Sequence, residues 1–140
     1  MNVSIFIQPH NAFNYPLMKI RIKGNSLRYR LTKPEVALFA RKGMVREKIH
    51  FGTAALQYEL LSSTGHQLSA AFRDNHITLY FPAAWINEWT STGKVGYAHT
   101  LLLENNETLH LLVEKDFTCL ENVTEDQSDN YPNPLLNKEA

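Results

Sequence analysis

The side chains best suited to chemistry are basic and close together. Lys19, Arg21, Arg28, Arg30, Arg46 and Lys48 fall within thirty residues, with Lys23 and His50 beside them. Arginine forks match phosphate and carboxylate oxygens two at a time, and lysine adds a compact positive charge. Gathered on one concave side, these residues would bind an anion. In a sheet closed with that side inward they would line a polyphosphate tunnel, with Glu59 and Glu114 as metal-holding acids. Tunnel-type triphosphatases open on a Glu-x-Glu-x-Lys strand, however, and the corresponding positions here are basic, so the analogy is a distant one.

Other chemistries find little support. There is no Cys-x-x-Cys or His-Glu-x-x-His pair for a metal, and no phosphate-cradling glycine loop. No Gly-x-Ser-x-Gly elbow is present, and the single cysteine, Cys119, has no histidine near it in sequence. His99 and His110 are expected on one face of a late hairpin, with no third ligand in view. No catalytic residue, metal or cofactor is assigned.

The cations are positioned by period-two alternation. Ile20 and Ile22 interleave with Lys19, Arg21 and Lys23; Leu27, Tyr29 and Leu31 interleave with Arg28 and Arg30. Gly24-Asn25 between the runs predicts a two-residue hairpin turn. That register sets Arg21 opposite Arg28 and Lys19 opposite Arg30, with every apolar residue on the other face. A slip of one residue would destroy the sorting. Facing like charges cost up to about 1 kcal/mol per pair. Water and salt, acids from elsewhere in the chain, or an external anion would offset that cost.

The charge distribution favours an internal answer. Residues 1–50 hold ten Lys or Arg and two acids; residues 51–140 hold four and twelve, for a net charge of zero. The acidic part is expected to fold against the basic part. Non-specific nucleic-acid binding, which needs an overall basic excess, is disfavoured. No apolar run reaches membrane-spanning length. One cysteine permits no internal disulfide, which points to a reducing, cytoplasmic compartment.

Further along, Thr32-Lys33-Pro34-Glu35 reads as a capping box and Gly43 as a stop, predicting a helix over 33–42. Strands follow over 44–51, 54–62, 67–72 and 76–81. Pro82 opens a second short helix with a Trp85, Ile86 and Trp89 stripe, read as core-facing. A last hairpin over 95–104 and 107–114 turns about Asn105-Asn106, setting Leu102 against Leu109. The expected fold is α+β: a mainly antiparallel, strongly curved sheet or open barrel of about eight strands with two short helices.

Residues 1–17 read as an N-terminal extension, 18–120 as one domain, and 121–140 as an acidic tail. The tail holds Glu125, Asp126 and Asp129, then Tyr131-Pro132-Asn133-Pro134, whose prolines impose an extended path. The Tyr131 ring would anchor that path on the basic face.

The opening MKIRIKGNSLRYRLTKPEV, together with VEKDFTCL and with ED followed by SDNYPNP, resembles a family of small uncharacterised bacterial proteins carried as a domain of unknown function. The resemblance covers residues 18–134 and begins at Met18, so the leading residues depart from it. It implies a cytoplasmic bacterial protein and brings no activity, cofactor or catalytic residue. Two readings stand. One is a non-enzymatic binding or scaffold module, its cationic face covered by its own acidic tail or a protein partner. The other is an anion-binding enzyme or sensor for a phosphorylated small molecule.

Overall fold

The computed structural model describes residues 17–117 and Tyr131. The chain opens with the hairpin that its alternation predicts. Strands β1 (Lys19–Ile22) and β2 (Ser26–Leu31) pair antiparallel, with Lys19 opposite Arg30, Ile20 opposite Tyr29 and Arg21 opposite Arg28. Gly24 takes φ 57° in the turn, a left-handed value that costs glycine little. Helix α1 (Lys33–Lys42) follows with the predicted bounds. The Glu35 carboxylate accepts both the Thr32 N–H and its hydroxyl at 2.9 Å, and Gly43 closes the helix at φ 71°.

Helix α1 carries the chain into a second sheet of β3 (Met44–His50), β4 (Ala55–Ser63), β5 (Ser69–Arg73) and β6 (His76–Pro82). A 3-10 turn (Ala83–Trp85) then runs into α2 (Ile86–Ser91), so the second helix forms in two pieces. It returns the chain to the first sheet as β7 (Gly96–Leu102) and β8 (Thr108–Lys115).

The class is α+β, but the sheet expectation needs correction. There are two four-stranded sheets, ordered β1-β2-β8-β7 and β3-β4-β6-β5. Each is mixed, because its two hairpins join through their second strands in parallel: β2 with β8, and β4 with β6. Neither sheet closes into a barrel. Hairpins are local and leave a trace in neighbouring residues, whereas the β2–β8 join links distant parts of the chain and no turn signal announces it.

The sheets face each other across one core. Tyr29, Leu31, Leu111 and Val113 of the first share a buried cluster with Val45, Tyr58, Leu60, Leu79 and Phe81 of the second. Tyr29 meets Tyr58 edge to face at 6.0 Å and donates its hydroxyl to the Ile77 carbonyl. At the helix end, Phe81 lies between Phe39, Trp85, Trp89 and Tyr97, all with ring centroids within 6 Å of it. The Trp85-Ile86-Trp89 stripe therefore faces the core as expected, and Trp89 is fully buried.

The last hairpin is shifted by one residue. Leu102 pairs with Thr108 and Leu101 with Leu109, because the loop takes an extra position around a 3-10 turn at Glu104–Asn106. Asn105 and Asn106 both take positive φ. A one-residue shift exchanges the faces of a strand. His110 consequently points outward beside Thr100, while His99 sits opposite Leu111, so the two histidines do not share a face.

Gly96 lies across the ladder from Glu114. A Cβ there would stand 2.1 Å from the Val113 carbonyl oxygen, whereas one on Gly93 would meet nothing within 4 Å. Gly96→Ala should therefore lower unfolding free energy in urea melts by about 3 kcal/mol. Gly93→Ala is expected to change it by less than about 0.5 kcal/mol.

Candidate anion-binding face

Register decides which side chains gather. On the outer face of the first sheet, one row reads Lys19, Arg30, Glu114, Gly96. The next reads Arg21, Arg28, Leu112, Ala98, and the third Ser26, His110, Thr100. Four of the six singled-out cations thus share one surface.

Acids of the first sheet answer them. The Arg30 Nε donates to Glu114 Oε2 at 2.7 Å, and the Arg28 Nε stands 3.6 Å from the same oxygen. Lys19 Nζ reaches Asp116 at 2.8 Å. Glu114 is held between two guanidinium groups, closer to Arg30, so Arg28 keeps most of its donor capacity.

Arg46 and Lys48 are elsewhere. They lie on β3, on the outer face of the second sheet, with the common core between them and the first four. The single concave cationic side anticipated from the sequence is therefore divided between the outer faces of two sheets. The tunnel goes with it, since Glu59 and Glu114 belong to outer faces of different sheets. Arg46 is committed to Glu59, Nε to Oε1 at 3.0 Å, and Lys48 is exposed.

Glu59 is 8% exposed and its carboxylate is well satisfied. It accepts from Thr78 Oγ1 at 2.8 Å and from Gln57 Nε2 at 3.2 Å besides Arg46. Burial alone pushes its carboxyl up, but these hydrogen bonds and the Arg46 charge outweigh burial and hold it below its ordinary value. A second acidic pair sits near the start of β1. Glu47 accepts the Met18 N–H at 3.3 Å, and burial pushes the Glu47 and Glu35 carboxyls up. Tyr58 donates to the Met18 carbonyl at 2.7 Å, and burial followed by these two carboxylates pushes its hydroxyl up to about 12.

The outer face of the first sheet carries a shallow depression of about 290 Å³. Arg28, His110 and Thr100 line it together with the apolar Ala98 and Leu112. Thr100 Oγ1 lies 3.0 Å from His110 Nδ1, which fixes the ring. Sequence reasoning missed this grouping, because it depends on the shifted register of β7 and on the parallel β2–β8 join.

Of the tail residues, Glu125, Asp126 and Asp129 lie outside the described residues, as does Cys119. Tyr131 is described and is 97% exposed.

A family model described as a family of unknown function, DUF7009, matches residues 18–135. The chain belongs to this family. The match begins at Met18 and runs through the acidic segment past Tyr131. No curated protein and no solved structure matches the chain. Among the described residues, no helix is long and apolar enough to cross a membrane.

The folded Glu59 carboxyl titrates below its ordinary 4.5. Its stabilisation is therefore complete above that pH and is lost as pH falls through the folded value. Glu59→Gln should cost about 1 kcal/mol at pH 7 and flatten the acid limb of stability against pH, read by urea melts between pH 3 and pH 7.

Proposed function

We propose that this DUF7009 member is a non-enzymatic binding module. The outer face of its first sheet takes an acidic peptide segment, supplied by its own residues 121–140 or by a protein partner. The observation that carries this reading is the convergence of Arg28 and Arg30 on the single Glu114 carboxylate, two guanidinium groups to one carboxylate oxygen. Further carboxylates would improve that balance.

Two facts favour the chain's own segment. The Asp116 N–H bonds to the Leu31 carbonyl while its side chain holds Lys19, so the chain leaves β8 beside the basic rows. The family match also continues through Glu121, Glu125, Asp126 and Asp129, so the acidic stretch lies within the matched region. A cytoplasmic setting accords with the lone cysteine. The second reading, an anion-binding enzyme or sensor for a phosphorylated small molecule, is favoured by the depression bordered by Arg28 and His110.

Neutralising the segment in the full chain, Glu125→Gln with Asp126→Asn and Asp129→Asn, tests the main reading. Melting temperature at low salt should fall by about 2–4 °C, for a loss near 1 kcal/mol, and the difference should shrink in 0.5 M NaCl. A variant matching the parent at both salt concentrations would remove the tail as occupant. A chain ending at Leu120 provides the companion measurement, with raised affinity for anions as the expected result.

A further inference from the structure

We infer that the depression on the outer face of the first sheet binds a phosphate monoester with a small apolar body. The inference deepens the second reading above, a phosphorylated small molecule at this depression, and rests on it.

The argument starts from where the acids stop. Glu114 and Asp116 meet Lys19 and Arg30 at the helix end of the face. The next two outer rows, Arg21-Arg28-Leu112-Ala98 and Ser26-His110-Thr100, contain no carboxylate. Arg28 stands 3.6 Å from Glu114, too far for a short hydrogen bond, and its side chain is 28% exposed, so the guanidinium can turn its remaining N–H groups into the depression.

His110 supplies a second donor. When the Thr100 hydroxyl donates to Nδ1 across their 3.0 Å contact, the ring proton sits on Nε2, away from Thr100. Ser26 is not a donor here, because its hydroxyl is given to the Lys23 carbonyl at 2.5 Å.

The two donors stand on adjacent strands, one row apart. A planar carboxylate is satisfied by one arginine fork alone. A tetrahedral phosphate has three terminal oxygens and can engage the Arg28 fork while accepting from the imidazole. Its dianionic charge also suits Arg28, which shares the Glu114 carboxylate with Arg30. The ester body would then rest on Ala98 and Leu112, which offer area but no hydrogen bond. A volume of about 290 Å³ admits a body of roughly ring size.

The test uses the full-length chain with phenyl phosphate, glycerol phosphate, inorganic phosphate and chloride at matched ionic strength, read by calorimetric titration and melting. Phenyl phosphate should bind tightest and raise the melting temperature, with chloride giving no rise. Arg28→Lys and His110→Gln should each weaken phenyl phosphate about tenfold, the loss of one charge-assisted hydrogen bond. Lys48→Ala, on the other sheet, should leave affinity unchanged.

Equal affinity for phenyl phosphate and inorganic phosphate would overturn the apolar-body assignment. Affinity insensitive to Arg28→Lys and His110→Gln would overturn the site. If no phosphate compound binds while a synthetic peptide of residues 118–134 still binds the tail-neutralised chain, this inference falls and the binding-module reading stands. If the peptide also fails, both fall.

Discussion

Glu114 sits where β2 and β8 run side by side in parallel, and its carboxylate answers two arginines from one position. The hairpin that opens the chain keeps its facing cations, because a one-residue slip would bury charge and expose Tyr29 and Leu31. An antiparallel or shifted partner strand would bring a different residue beside Arg30. The parallel join thus sets both the sheet order and the electrostatic balance of its outer face. The energies involved are small. Facing like charges cost up to about 1 kcal/mol per pair. A partly exposed ion pair returns a similar amount. Charge here shapes the surface, while the fold is held by the core. Burying Trp89, Tyr29, Phe39 and Phe81 contributes about 1.5–3 kcal/mol for each side chain.

The second sheet repeats the pattern with a different result. Again two hairpins meet through parallel second strands, and again an acid on a central strand faces arginine on its neighbour. Glu59, however, has one arginine and two neutral donors, and is nearly sealed from water. Such a carboxylate is a structural member of its sheet, already satisfied. Glu114 has two guanidinium groups competing for one carboxylate oxygen. Similar topology therefore produces one carboxylate satisfied by a single arginine and two neutral donors, and one shared between two arginines.

What the sequence revealed depended on whether charge marked the strand faces. In β1 and β2 four cations alternate with apolar residues, so face, turn and register could all be read, down to Arg21 opposite Arg28. In β7 and β8 the runs Leu101-Leu102-Leu103 and Leu111-Leu112-Val113 are apolar on both faces. Nothing there opposed a shift of one, which is why His99 and His110 were expected on one face and lie on opposite ones. Helix α1 was legible because its capping box and glycine stop are local. The division into two sheets was not, because both parallel joins are long-range. The charge split between the two halves of the chain did foretell internal pairing. It appears as Glu114 with Arg28 and Arg30, Asp116 with Lys19, and Glu59 with Arg46, all lying before the tail that composition alone had favoured.

The two ends of the sandwich differ in a way that bears on where a partner could act. At one end, α1 and α2 cover the core and Phe81 is ringed by four aromatic side chains. At the other, Ile22 and Phe72 remain 62% and 70% exposed on the facing sides of the two sheets. The outer face of the first sheet is graded along the same direction. Its carboxylates cluster at the helix end, and its Arg28 and His110 rows lie toward the open end. A ligand or segment held there would grip β2 and β8 together across their parallel join. That join, with the Asn25 amide on the Thr108 carbonyl and the Asp116 N–H on the Leu31 carbonyl at its two ends, is what ties the opening hairpin to the closing one.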